Sequence, residues 1–314
     1  MTKSIGEKSK FKILVVGDLM LDINYSGDSL RLSPEAPVPV VENIFDSCFL
    51  GGAGNVAVNM SELGHEVSIC GSVGSDENGR TILKHLGKNN ILSDLVCVKD
   101  VASITKIRIL ANGKHVCRLD FEDNKDLYSL NRFSISKLIE PFDLIILSDY
   151  SKGVITQGLV NEVIDNALMR QIRVLVDPKP KNKIAYSNAY LIKPNMIEAK
   201  EMCAKYSLTN VSDLGAQIIK DYGCRNLIIT DAQNGAFLFN GENPMIHFPA
   251  LSKLDVLDVT GAGDTFISVI AHLLLFGATV ASSVPLAVKA ASFVCSKKGT
   301  TPITLEEFKS LGDA

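Results

Sequence analysis

The sequence is bounded first by what it lacks. Its seven cysteines (Cys48, Cys70, Cys97, Cys117, Cys203, Cys224 and Cys295) form no Cys-x-x-Cys pair and are odd in number. That argues against a disulfide framework or a zinc site, and they read as small buried hydrophobes of a reducing cytoplasm. The five histidines show no metal-ligand spacing. A net charge of −3 with mixed signs offers nothing to a nucleic acid or an anionic membrane. The first residues are polar (Thr2, Lys3, Ser4, Glu7, Lys8, Ser9, Lys10) and carry no signal-peptide core. No apolar run reaches membrane-spanning length, the longest being broken by His272 and Gly277. There is no internal repeat and no low-complexity linker. A soluble cytoplasmic protein is expected.

What is present is a core. Hydrophobic residues make up 46% of the 314, enough for one large α/β domain or two small ones. Lys12 to Val16 (KILVV) reads as a short buried strand ending at Gly17-Asp18. Further strand-like runs lie at 66–70, 143–147, 172–176, 189–192 and 226–229. Helical stretches at about 80–89, 156–169, 195–205 and 211–222 separate most of them. Such alternation predicts a mostly parallel sheet with helices on both faces. Two segments do not fit the alternation. Pro34, Pro37 and Pro39 forbid a helix or a central strand. In 103–122, Asn112-Gly113 between extended runs is a strong hairpin signal. Together, about 34–46 and 103–122 predict a small β flap, or lid, projecting from one domain spanning 1–314.

Polar residues follow the strands consistently: Asp18, Asp149 with Lys152, Asp177 with Lys179, Lys193 with Asn195, and Thr230 with Asp231. Ligands of open parallel sheets bind beyond the carboxyl ends of the strands, so these residues should line one rim. Each taken alone is an ordinary turn residue. Near the end of the chain, Asp258-Val259-Thr260-Gly261-Ala262-Gly263-Asp264 precedes an apolar helical run (Phe266, Ile267, Val269, Ile270, Leu273, Leu274). Small residues at a helix start leave unpaired N–H donors open to an anion. Asp264 at the same helix start should be kept ionised by the helix dipole. A carboxylate beside an anion hole suits deprotonation of a hydroxyl that attacks phosphorus; the plain alternative is a helix cap.

Two look-alikes compete. Gly74-Ser75-Asp76-Glu77-Asn78-Gly79-Arg80-Thr81 has P-loop spacing, but Arg80 replaces lysine and two acids would enter the phosphate cradle. It reads as a turn before a helix. Gly52-Ala53-Gly54-Asn55-Val56-Ala57 fits G-x-G-x-x-G/A yet follows the proline-rich flap instead of a first strand, which leaves a nicotinamide enzyme only as an alternative.

Gly51-Gly52-Ala53-Gly54-Asn55-Val56-Ala57 with Leu63-Gly64, and Asp258-x-Thr-Gly-Ala-Gly-Asp264, resemble the paired signatures of the PfkB/ribokinase family of sugar kinases. Asn195-Met196-Ile197-Glu198 is similar to that family's N-x-x-E element, and Gly299-Thr300 to its nucleotide-side loop. The likeness runs from about residue 11 to 310 and implies a ribokinase-like fold. Leu32 to Val40, Leu147 to Val154, Asp177-Pro178-Lys179 and Arg118-Leu119-Asp120-Phe121-Glu122 resemble the heptose 7-phosphate kinase subgroup. Its members phosphorylate C1 of D-glycero-β-D-manno-heptose 7-phosphate on the way to ADP-heptose and the lipopolysaccharide core. A nucleotidyltransferase follows the kinase in bifunctional members, so a chain ending at Ala314 resembles the stand-alone form. It departs from the subgroup at Ala111-Asn112-Gly113-Lys114-His115, on the presumed sugar-facing flap, and at Thr230-Asp231-Ala232-Gln233-Asn234.

The resemblance implies ATP and Mg²⁺, with a monovalent cation as a further candidate. It makes Asp264 the base, with the amides of Gly261, Ala262 and Gly263 holding the transferring phosphate. Asp18, Gly52 and Asn55 match the sugar-hydroxyl set, with Asp149 and Lys152 beside them. Lys106, Arg108 and Arg118 are candidates for the sugar's own phosphate, since 106 and 108 share a strand face and 118 lies across the Asn112-Gly113 turn. Lys179, Lys193, Asn195, Thr230, Gly235 and Gly299 fall on the nucleotide side. Asn195 and Glu198 would hold Mg²⁺ through water, although Glu198 also suits a first-turn helix acid. A homodimer through the lid is expected. Other readings are a kinase for ribose, fructose or a nucleoside, and a catalytically silent sugar- or nucleotide-binding protein.

Overall fold

The structure, a computed structural model, describes residues 10–130, 141–241, 245–250, 257–297 and 299–312. The polar stretch Thr2–Ser9 lies outside the described residues.

The chain opens with β1 (Lys12–Gly17), β2 (Leu19–Leu32), β3 (Pro39–Gly52) and α1 (Ala53–Glu62). There follow β4 (Glu66–Gly74), α2 (Glu77–Lys88), β5 (Leu92–Lys99), β6 (Thr105–Ala111) and β7 (Lys114–Phe121). Next come β8 (Leu144–Ser148), α3 (Gln157–Met169), β9 (Arg173–Asp177), β10 (Leu191–Ile192), α4 (Met196–Met202) and α5 (Val211–Tyr222). The last described elements are β11 (Asn226–Thr230), β12 (Ala236–Phe239), β13 (Ile246–Phe248), α6 (Ala262–Leu275), α7 (Val280–Val294) and α8 (Leu305–Gly312).

Among the described residues nine strands form one sheet in the order β13-β12-β11-β10-β9-β8-β1-β4-β5, parallel except for the antiparallel β11-β12-β13 edge. β1 shows why. Its buried residues send Ile13 and Val15 into one apolar cluster with α1, α6 and α7, and Leu14 and Val16 into another with α3 and α5. A strand covered on both faces must be apolar throughout, as KILVV is. The chain runs outward from β1 to β4 and β5, then returns to build β8 to β11 on the other side. Strand order therefore reverses between β1 and β8, and that reversal opens a crevice at their carboxyl ends.

The lid is a second sheet, of four strands among the described residues, β3-β2-β6-β7. It is larger than the flap read from the sequence: β2 belongs to it, and the prolines before β3 form the turn between β2 and β3. The two faces of the lid differ by the twofold period of a strand. Ile23, Tyr25, Ile107, Ile109, Leu119 and Phe121 lie on one face in register; Asp22, Asn24, Lys106, Arg108, Arg118 and Asp120 lie on the other. Asn112 and Gly113 both have positive φ, as a two-residue hairpin turn demands. Asn112 also exchanges hydrogen bonds with the backbone of Ser29, so this departure from the subgroup pattern sits at the far end of β6, against β2, and not beside the cleft.

The stretch with P-loop spacing is a strand end and a helix start: Asp76 caps α2 by accepting from the Gly79 amide at 2.7 Å. Gly52 to Ala57 enters α1 from lid strand β3, not from a parallel first strand. The cysteines are free thiols, and contrary to a uniformly buried set Cys117 is exposed on β7. Among the described residues no helix is long and apolar enough to cross a membrane.

Candidate active site

A cleft of about 270 Å³ lies at the carboxyl ends of β8, β9 and β11, closed on one side by the start of α6. It brings together Asp149, Asp177, Lys179, Lys193, Asn195, Glu198, Thr230, Gly261, Gly263 and Asp264, all singled out from the sequence, with Tyr150 and Pro178.

Gly261 is the N-cap of α6 at φ 83, the left-handed region that glycine enters without strain. A side chain there would also collide with Asn55, whose Nδ2 lies 2.7 Å from the point a Cβ would occupy. Of the three amides expected to grip an anion, that of Ala262 already donates to Val259 O at 3.3 Å. Among the described residues the amides of Gly261, Gly263 and Asp264 have no such partner, so the Asp264 amide takes the place of Ala262 in the open donor set.

Asp264 is buried in the first turn of α6. One carboxylate oxygen accepts from Asn55 Nδ2 at 2.7 Å and the other from the Tyr150 hydroxyl at 2.8 Å. Burial pushes its pKa above the ordinary carboxylate range, while the two hydrogen bonds and the Lys193 ammonium pull it back. The helix start alone therefore does not decide its charge. Asn55 thus reaches the base directly from α1, where sequence matching placed it only among sugar contacts.

Lys193 is buried and paired with Asp177 at 2.9 Å. Burial opposes its charge, yet Asp177, Glu198 and Asp264 outweigh it and its pKa is raised. Asp177 is raised to about 7, because burial and the neighbouring carboxylates of Glu198 and Asp264 exceed the help from Lys193. The ammonium lies 3.4 Å from where a Cβ on Gly263 would stand, next to the open amides. Lys179 pairs with Glu198 at 2.7 Å. Asn195 and Glu198 form a reciprocal capping box on α4, so the helix-acid role is realised there. They still line the cleft, and three carboxylates crowd one ammonium. Among the described residues no three such side chains converge to hold a metal ion directly, so a divalent cation here would have to be held through water.

Several expected contacts are placed elsewhere. Asp18 is fully buried beneath the cleft; its carboxylate accepts from the amides of Tyr150, Lys152 and Val154 at 2.9, 3.1 and 2.9 Å. It anchors the loop after β8 and presents no free oxygen edge to a sugar. Gly52 is the buried N-cap of α1 at φ 58, packed against the Asp18 carbonyl. Asp149 lines the cleft but accepts from the Ser151 amide and the Tyr186 hydroxyl. Lys152 is paired with Glu122. Gly235 sits in the β11–β12 turn, where its carbonyl accepts from Asp231, away from the cleft lining. Gly299 packs on the Phe49 ring, and the neighbouring Thr300 touches the space beside Gly261.

On the polar lid face Arg108 pairs with Asp22 at 2.7 Å and Arg118 with Asp120 at 2.8 Å. Lys106 has no carboxylate partner among the described residues. Its ammonium lies 3.2 Å from Met20 Sδ and 5.6 Å from the centre of the Tyr150 ring. Burial lowers its pKa. Tyr150 was visible in the sequence only as one letter of a strand-end turn; its contact with Asp264 spans 114 residues.

A model of the pfkB family carbohydrate kinases matches residues 10–307. The chain is 35% identical over 311 residues to the bifunctional protein HldE of Shewanella sediminis, covering 97% of this chain and 64% of that protein. It is 38% identical over 302 residues to the bifunctional protein HldE of Actinobacillus succinogenes, covering 95% and 63%. The chain thus spans just under two thirds of the length of these relatives. Among solved structures, ribokinase of Thermotoga maritima superposes with a TM-score of 0.75 at 19% identity, covering 97% of this chain and all of that one. Phosphofructokinase-2 of Escherichia coli gives 0.76 at 17%, covering 96% and 97%. At such identities the likeness is one of fold.

Proposed function

The chain belongs to the pfkB family of carbohydrate kinases, and from that premise we propose that it transfers the γ-phosphoryl group of ATP to C1 of D-glycero-β-D-manno-heptose 7-phosphate. The product is the 1,7-bisphosphate, a precursor of ADP-heptose for lipopolysaccharide core. The likeness to the HldE proteins supports the sugar. The observation that carries a phosphorylated substrate is Lys106, a half-buried ammonium with a thioether and a ring for neighbours. It shares its lid face with Arg108 and Arg118. A sugar's own phosphate would give Lys106 the anion it lacks.

Phosphoryl transfer asks a protein mainly for positioning and charge neutralisation. Asp264 accepts the proton of the C1 hydroxyl as its oxygen bonds to the γ-phosphorus; the bond to the β–γ bridging oxygen breaks and ADP leaves. The open amides of Gly261, Gly263 and Asp264 receive the charge that builds on the transferring group. Lys193, Lys179 and Thr230, which line the cleft, would receive the nucleotide phosphates. Glu198 and Asn195 would hold Mg²⁺ through water, which when bound would neutralise phosphate oxygens. The lid's apolar face, with Leu119 and Phe121 about half exposed, is proposed to pair two chains into a homodimer.

The test is an ATP-consumption screen across sugars and sugar phosphates, with heptose 7-phosphate included. Turnover confined to that phosphosugar is expected; equal or better turnover on neutral ribose, fructose or a nucleoside would sink the reading.

A further inference from the structure

Tyr150 stands in the crevice between β1 and β8, and none of the roles above uses its side chain. Its hydroxyl donates to Asp264 Oδ1 at 2.8 Å while Asn55 Nδ2 donates to Oδ2 at 2.7 Å. The residue is itself held from three sides. Its amide donates to the buried Asp18 at 2.9 Å. Its ring lies 5.6 Å from the Lys106 ammonium of the lid. Its Cδ2 lies 3.5 Å from where a Cβ on Gly52 would stand, at the root of lid strand β3. Core loop, lid and base meet on one phenol.

We propose that Tyr150 is a positioning residue for the base: its hydroxyl and the Asn55 amide clamp opposite oxygens of the Asp264 carboxylate and set the plane in which it meets the acceptor hydroxyl. The proposal rests on the kinase reading. A carboxylate on a short side chain can rotate about its last torsion, and two donors on separate oxygens remove that freedom. Each oxygen keeps a further lone pair for the sugar hydroxyl. Both donors are matched by an acceptor-only carboxylate; a protonated acid would turn a hydrogen toward one of them. The clamp therefore also favours the ionised form. Burial and the Asp22 carboxylate of β2 act against that form, and Asp177 of β9 adds a further negative charge nearby; Lys193 beyond β10 acts with the clamp. The phenol stays a donor, since burial and Asp264 raise its own pKa well above the ordinary value.

Two substitutions at this position test the clamp: Tyr150→Phe, which deletes the donor, and 3-fluorotyrosine, which keeps the shape and strengthens it. The acid limb of kcat/KM against pH reports the base in the free enzyme. With Tyr150→Phe it should move up by about one pH unit, and turnover below that limb should fall about tenfold, with KM for ATP unchanged. With 3-fluorotyrosine the limb should move down. The same shifts should appear without substrates in a ¹³C NMR titration of aspartate-labelled protein, the Asp264 signal being identified by its absence in Asp264→Asn. A fall in kcat with an unmoved limb, or an Asp264 titration in Tyr150→Phe that overlays the wild type, would overturn the proposal. The NMR titration needs no turnover, so a failure of the kinase reading leaves the clamp decided separately.

Discussion

At the scale of single residues, the site is a carboxylate made costly by burial and then restored by its neighbours. Asp264 was legible as a candidate because the acid directly follows Gly-Ala-Gly at a helix start, where a plain helix cap was the alternative. Its charge state was not legible, since the helix dipole is only one contribution and burial opposes it. Asp264→Asn keeps the shape and removes the proposed base. Turnover should fall roughly 10²–10⁴-fold, while the dissociation constant for ATP, measured by calorimetry, changes little. A variant that still turned over ATP at the wild-type rate would remove Asp264 from the chemistry, and a wild-type chain without turnover would favour the silent-binder reading. Asp18 carries the opposite lesson. A strand-end aspartate looks like a ligand contact from sequence, but here three backbone amides use it to build the loop that holds Tyr150.

At the scale of elements, the lid does two things with one period. Residues of one parity carry charge toward the cleft, and those of the other parity are apolar. The hairpin of β6 and β7 was readable from Asn112-Gly113. β2 was not, because its alternation begins directly after β1 and the Gly17-Asp18 turn masks the new strand. Reversing charge on the polar face with Arg108→Glu and Arg118→Glu should raise KM for the sugar phosphate roughly ten- to a hundredfold, the worth of one or two charge-assisted hydrogen bonds. KM for ATP should stay put, and initial-rate kinetics with each substrate varied separates the two. On the apolar face, Leu119→Glu with Phe121→Glu should convert a dimer to monomers in sedimentation velocity. A wild-type chain that sediments as a monomer throughout the micromolar range would end the dimer proposal.

At the scale of the whole molecule, α6 ties the active site to the far end of α1 through a buried histidine pair. His65 Nε2 and His272 Nδ1 lie 2.9 Å apart, surrounded by Phe11, Phe276 and Phe308. Burial lowers both pKa values to about 4, with Asp143 acting in the opposite direction on His65. An unfolded histidine titrates near 6.5, so between there and about 4 the unfolded chain binds more protons. Stability is therefore full above about pH 6.5 and is lost as pH falls toward 4, by roughly 3 kcal/mol for each of the two histidines. Urea unfolding at intervals from pH 7 to 4 should show that slope, and His272→Gln should flatten it.

The sequence by itself determined the class of fold and the family, and it singled out the candidate base, because each rests on local order. Buried strands need unbroken apolar runs, hairpins need Asn-Gly, and a helix that opens on an anion needs small residues before an acid. Tertiary structure alone decided who neighbours whom. That Tyr150 and Asn55 close on Asp264 is set by contacts across more than a hundred residues, and the neighbours that leave Lys106 without a carboxylate come from β2 and the loop after β8. No spacing rule encodes such contacts, since they arise only when the β1–β8 crevice, the lid and the start of α6 pack onto one another.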